Sequence, residues 1–206
     1  YNKNDELKFL IGNSFLKSER SNYPNYKSIE ETYYKVFSQN SEDGVIDYLL
    51  DTLNLQDPKF CEIGTEDYQE ANTRYLFEKN AGKGFIIDCI SNYKFKVQKN
   101  TRMWRGNLNV IQKKISPNNV IEIFNNYKIF NNLDLFSLDI DGVDYFILEK
   151  MPKKFSKIAV IEYNALFGDK YAISVPNLEN FDKIKYHYSQ LCFGASLRAI
   201  IDLMET

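Results

Sequence analysis

The chain of 206 residues holds a single histidine, His187, and three cysteines, Cys61, Cys89 and Cys192. That scarcity excludes zinc sites of the Cys/His type and iron sites built on several histidines. A hydrolase triad would have to run through His187. The cysteines are odd in number, far apart and set among apolar residues, so they read as small buried hydrophobes in a reducing compartment, not as a disulfide framework. No apolar run approaches the ~20 residues of a membrane-spanning helix, and no segment resembles a signal peptide. A cytoplasmic protein with no membrane partner is expected. An excess of basic charge is missing as well: 26 Lys and Arg stand against 28 Asp and Glu, net −2 at pH 7. That balance argues against a nucleic-acid partner held by bulk charge. What is left is carboxylate and amide chemistry, or chemistry carried by a bound cofactor.

Hydrophobic residues make up 44% of the chain, with 15 Tyr and 15 Phe, enough for one full and largely aromatic core. The chain begins at Tyr1 and not at Met, so it is expected to be a piece of a longer protein. Residues 1–37 read as an N-terminal arm or cap. It carries a helix over 5–17, with Leu7, Leu10, Ile11 and Phe15 at helical spacing, and a turn at Tyr23-Pro24-Asn25-Tyr26.

Residues 38–206 read as the main domain, in which short apolar runs alternate with helical patterns. A helix over 43–53 precedes a buried strand over 59–63 that Gly64 ends. There follow a helix over 70–79, strands over 85–88 and 108–113, and a helix opened by Ser116-Pro117. A strand over 135–140, a helix over 143–151, a strand over 158–163, a short edge strand over 171–175 and a helix over 195–204 complete the chain. Continuous apolar strands alternating with helices specify an α/β fold: a doubly wound, mostly parallel Rossmann-like sheet with helices on both faces.

In such sheets ligands sit beyond the carboxyl ends of the strands, where strand order reverses. The first strand ends Glu62-Ile63-Gly64-Thr65-Glu66-Asp67, and Gly64 lets the backbone turn sharply close to a ligand. The second ends in Asp88, which can accept hydrogen bonds from both hydroxyls of a ribose. A pyrophosphate cradle needs G-x-G-x-x-G, which is absent; Glu66 and Asp67 would repel a pyrophosphate. They suit a ligand with a cationic centre and an amino group. This disfavours NAD and ATP and favours S-adenosylmethionine.

The ordered set of motifs then resembles a known family. Ser38-Gln39-Asn40-Ser41-Glu42-Asp43-Gly44, Phe60-Cys61-Glu62-Ile63-Gly64, Asn72-Thr73-Arg74-Tyr75-Leu76 and Gly84-Phe85-Ile86-Ile87-Asp88 look like class I methyltransferases of the FkbM-like kind. So do Leu138-Asp139-Ile140-Asp141-Gly142-Val143-Asp144-Tyr145, Ile161-Glu162-Tyr163-Asn164 and Phe193-Gly194-Ala195-Ser196-Leu197. The resemblance covers Ser38 to the C-terminus and leaves the arm unmatched. It implies S-adenosylmethionine binding and methyl transfer to a hydroxyl of a small, sugar-related substrate, with Gln39 and Glu42 closing the cofactor site. The cofactor set expected on this reading is Gln39, Glu42, Glu62, Gly64, Thr65, Asn72, Thr73, Asp88 and Asp139. Many class I enzymes carry G-x-G where this chain has Gly64-Thr65-Glu66.

Side chains at i and i+2 on a strand share a face, which groups Asp139 with Asp141 and Glu162 with Asn164. If the two strands are neighbours, three carboxylates and an amide oxygen converge, a set that suits Mg²⁺, Mn²⁺ or Ca²⁺. Similarity to metal-dependent catechol-type O-methyltransferases implies Asp139, Glu162 and Asn164 as ligands, holding a substrate hydroxyl for deprotonation. Three alternatives stand beside this. Asp139 or Asp141 is a general base without metal, or Asp141-Gly142 merely starts the next helix, or His187 serves as base or substrate contact. His187 also reads as a stacked surface residue, Ser41 or Asp43 as a helix cap, and Arg102 and Arg105 beside Trp104 as either an anion contact or loop decoration. A catalytically silent scaffold domain and a nicotinamide oxidoreductase are the rival functions. An assembly of identical subunits is left open.

Overall fold

A computed structural model describes residues 3–205. Its frame is five parallel strands: β1 (Lys59–Ile63), β2 (Lys83–Asp88), β3 (Asn107–Gln112), β4 (Leu135–Leu138) and β5 (Ile158–Ile161). They lie in the order β3-β2-β1-β4-β5, so the Rossmann-like α/β reading is correct. Ile63 lies opposite both Ile87 and Leu138, and Leu138 opposite Ile161, which brings four strand ends to one edge. The chain winds outward from β1 in one direction and then returns to β4 on its other side. That reversal opens a crevice between the carboxyl ends of β1 and β4.

The pleat divides each strand between two layers. Cys61, Ile63, Ile87, Phe136 and Leu138 face one core with Phe124 and Ile147. Phe60, Ile86 and Leu135 face the other with Ile46, Leu50 and Phe77. The helices are α1 (Lys3–Glu19), α2 (Glu42–Thr52), α3 (Arg74–Asn80), α4 (Tyr93–Asn100), α5 (Val120–Asn126), α6 (Asp144–Lys150), α7 (Lys183–Tyr186) and α8 (Leu197–Glu205). Each fully buried Phe of these layers contributes roughly 2 kcal/mol of transfer free energy. No helix among the described residues is long and apolar enough to cross a membrane.

Several expectations need correction. The arm helix forms, but it buries Phe9, Gly12 and Leu16 and exposes Leu7, Leu10 and Ile11. The buried face is the one on which Gly12 lets Val36 approach; a Cβ there would stand 2.4 Å from a Val36 methyl. The arm docks through Phe9 against Tyr75 and Tyr23 against Tyr48, and Asp47 ties it through Arg20 and the Tyr23 hydroxyl. Helix α3 begins at Arg74 and not at residue 70, because the Glu62 carboxylate draws in the N–H groups of Asn72 and Thr73. Residues 171–175 form no strand, only one antiparallel bridge between Ser174 and Ala195. Helix α4 was not expected; its pattern is mostly polar, and only Tyr93 and Val97 are buried.

Candidate functional site

The site is built on the turn after β1. Gly64 has φ +83°, and its N–H donates to the Ile87 carbonyl at 3.0 Å. A Cβ on it would stand 1.6 Å from the Asp139 carbonyl oxygen, so glycine is required there by the β4 backbone alone. Asp88 then fixes the loop. Its Oδ2 accepts from the N–H groups of Thr65 (3.0 Å) and Glu66 (2.8 Å), and its Oδ1 from Ile90 (2.9 Å). A carboxylate accepts about four hydrogen bonds, so one position on Asp88 is left for a ligand. Thr65 is buried, with its hydroxyl against Tyr93.

Over this turn lies a cleft of about 430 Å³, reaching from Gly64, Thr65 and Asp88 to Asp139, Asp141 and Phe181. Gln39 and Glu70 stand on one wall, Lys113 and Lys114 at the β3 end. A side chamber of about 140 Å³ shares Gln39, Gly64, Glu70 and Asp139 with it and adds Glu42, Glu62, Asn72 and Glu162. Eight of the nine expected cofactor residues therefore line one of the two spaces. The exception is Thr73, fully buried below, whose N–H and hydroxyl donate to Glu62 at 2.9 and 2.6 Å. Glu62 itself is buried, and burial pushes its carboxyl up to about 7 despite these bonds and one from Asn72 N–H. The Asn72 amide donates to Ser137 Oγ at 3.0 Å.

Beyond β4 and β5, oxygens of Asp139, Asp141 and Glu162 lie within 4.8 Å of one another. The grouping arises differently from the strand-pleat expectation. β4 stops at Leu138, and Asp141 reaches the cluster through a left-handed backbone at φ +54°. Asp139 and Glu162 are hydrogen-bonded, and burial first and then the charge of Asp139 raise the Glu162 carboxyl far above its usual range. Burial likewise raises Asp139. The two hold one proton between them near neutral pH.

Asn164 does not join them. Its Oδ1 accepts from Leu166 N–H (3.0 Å) and its amide donates to the Leu191 and Phe193 carbonyls (2.8 and 3.0 Å), so it pins the following loops. Lys183 meets the cluster at Asp141, with Nζ 2.5 Å from Oδ2. Of the three ligands expected for a divalent metal, Asp139 and Glu162 thus meet, with Asp141 beside them, while Asn164 is engaged elsewhere. Nor does Asp141 start the next helix: α6 begins at Asp144, whose carboxylate braces the turn before it by accepting from Ile140 and Gly142 N–H at 2.9 and 2.8 Å. Burial raises the Asp144 carboxyl to about 6.

His187 stands outside the residues lining either space. Its Nδ1 meets Ser189 Oγ at 2.7 Å and accepts from Ser189 N–H at 3.2 Å, and its ring stacks on Tyr188 at 4.4 Å. Arg102 pairs with Glu78, Arg105 lies over Phe9, and Trp104 is 84% exposed, all away from the cleft. Neither Ser41 nor Asp43 caps α2 as expected. Asp43 Oδ2 instead accepts from Val36, Phe37 and Ser38 N–H, and the Asp43 N–H donates to Ser38 Oγ. Sequence reasoning missed Lys183, for which no local signal exists. It missed Asp144 too, whose carboxylate folds back on the 140–142 turn.

The residues suit S-adenosylmethionine. The cleft volume falls in the ~300–1,000 Å³ range of small-ligand sites, Asp88 keeps an open acceptor position, and the Thr65 and Glu66 amides that a pyrophosphate would use are already taken. A comparison with protein-family models finds none that matches this chain, and no curated protein matches it.

Proposed function

We propose that this chain is an S-adenosylmethionine-dependent methyltransferase acting on a hydroxyl of a small, sugar-related acceptor. The observation that carries the reading is the crevice between β1 and β4, whose turn amides are closed to phosphate by Asp88 while its walls are acidic. Asp88 offers its remaining lone pair to a ribose hydroxyl, and Gln39, Glu42 and Glu70 present oxygens to an amino group. The cofactor supplies an electrophilic methyl group. The Asp139–Glu162 pair, half-buried between the cleft and the side chamber, takes the proton of the acceptor hydroxyl onto a carboxylate oxygen. Thr65 and Tyr93 hold the floor dry beneath the turn.

Isothermal titration of the full chain with S-adenosylhomocysteine tests this directly. Saturable heat is the expected result, and silence at millimolar ligand overturns it. A silent scaffold domain calls for a closed cleft, whereas this one is open. Enhanced NADH fluorescence on mixing would favour a nicotinamide enzyme, with Lys113 and Lys114 as its phosphate contacts.

A further inference from the structure

The three carboxylates of Asp139, Asp141 and Glu162 create a demand for positive charge that the site must meet from somewhere. Carboxylates this close cannot all remain ionised without a counter-charge; the proton shared by Asp139 and Glu162 relieves one of them, which leaves the charge of the other and of Asp141 to be balanced. A divalent ion is one solution, but the amide that would complete its oxygen shell, Asn164, is turned away into the 165–193 loops. A cationic side chain is the other. We propose that Lys183 is that cation: a tethered ammonium, paired with Asp141, that balances the charge of the cluster so that the site works without metal.

The geometry that carries this is specific. Lys183 Nζ lies 2.5 Å from Asp141 Oδ2, and on its other side it stands 5.0 Å from the centre of the Phe193 ring. An ammonium between a carboxylate and an aromatic face is held from two directions. Glu42 adds to the negative field at Asp139, and Asp144 to that at Glu162.

The backbone that delivers Lys183 is also fixed. Asp182 caps α7 by accepting from Ile184 N–H at 3.0 Å, which sets Lys183 as its first residue. Phe181 lines the cleft and packs on Tyr186 at 5.1 Å. Lys114 Nζ meets Asn180 Oδ1 at 3.2 Å, and Gly194 N–H donates to the Gly142 carbonyl at 2.9 Å. The segment 178–194 is thereby tied at both ends across the cleft mouth, and Lys183 is the charge it brings. Three donors and no acceptor let the ammonium serve more than one oxygen of the cluster. In methyl transfer, on which this role rests, it would hold the carboxylates in place for the acceptor hydroxyl.

The test needs neither cofactor nor acceptor. Mn²⁺ is titrated into the full chain and followed by electron paramagnetic resonance, for the wild type, Lys183→Met and Lys183→Arg. Wild type and Lys183→Arg are expected to bind Mn²⁺ only weakly. Lys183→Met should bind Mn²⁺ at least roughly tenfold more tightly, because a repelling charge is gone and three carboxylates are free to chelate. Lys183→Gln gives the same reading if the Met variant does not fold. Equal Mn²⁺ binding by wild type and Lys183→Met overturns the proposal, and so does a Lys183→Met protein that binds none. Loss of S-adenosylhomocysteine heat with this Mn²⁺ pattern intact would sink the methyltransferase reading alone.

Discussion

The carbonyl oxygen of Asp139 fills the space that a side chain at Gly64 would need: the nearest Cβ position lies only 1.6 Å from it. This contact sets how closely the ends of β1 and β4 approach and hence where the cleft opens. Gly64→Ala combines that clash with a left-handed φ, so it should destabilise the fold by roughly 3 kcal/mol or more and abolish S-adenosylhomocysteine binding. Urea unfolding measures it. Stability equal to wild type would mean the two strand ends are free to part.

Asp88 both holds the turn and faces the ligand. Asp88→Ala leaves the amides of Thr65, Glu66 and Ile90 without an acceptor, which should cost about 1–3 kcal/mol. Those three amides should exchange with deuterium faster than in wild type, and S-adenosylhomocysteine affinity should fall at least tenfold. Unaltered affinity would move the ribose site elsewhere.

Glu62 makes stability pH-dependent. Its folded pKa of about 7 lies above the unfolded value of ~4.3, so the native state binds the extra proton between these limits. Stability is therefore fullest below the lower value and falls as pH rises to the upper, by at most about 4 kcal/mol. Asp144, raised to about 6, acts in the same direction. Unfolding free energies at pH 5 and pH 8 should show the loss, and Glu62→Gln should flatten it. An unchanged slope in that variant would acquit Glu62.

The proton-sharing pair predicts a division of labour. Glu162 lines only the side chamber, so Glu162→Gln should lower kcat by ~10²–10⁴ with S-adenosylhomocysteine affinity nearly intact. Asp139 lines both spaces, and Asp139→Asn should harm turnover and binding together. Equal damage to binding in the two variants would contradict the geometry.

His187 is closed into its own turn with Ser189. His187→Ala should leave ligand affinity and turnover within about twofold, in line with surface substitutions generally. A large fall in kcat would show that the 187–190 turn opens toward the cleft during the reaction.

What was readable in the sequence and what was not separate along a physical line. Apolar runs such as Phe85-Ile86-Ile87 and a glycine after Ile63 are local signals, and they gave strands in the right places and acids at the right edge. Even the meeting of Asp139 with Glu162 followed once their strands were taken as neighbours, which β4 and β5 are. Helix α1 shows the limit. Leu7, Leu10 and Ile11 have helical spacing as good as that of Phe9, Gly12 and Leu16, and only the presence of Val36 decides which face is buried.

By itself, then, the sequence determined the alternation of strands and helices, the acidic edge and the shortage of nitrogen and sulfur ligands, because each depends on neighbours along the chain. The tertiary structure alone decided that Asn164 turns away, that Asp88 spends three of its acceptor positions on backbone, and that Lys183 arrives forty-two positions after Asp141 to meet its charge. These outcomes depend on the direction of side chains leaving irregular loops, and no periodicity in the sequence encodes that direction.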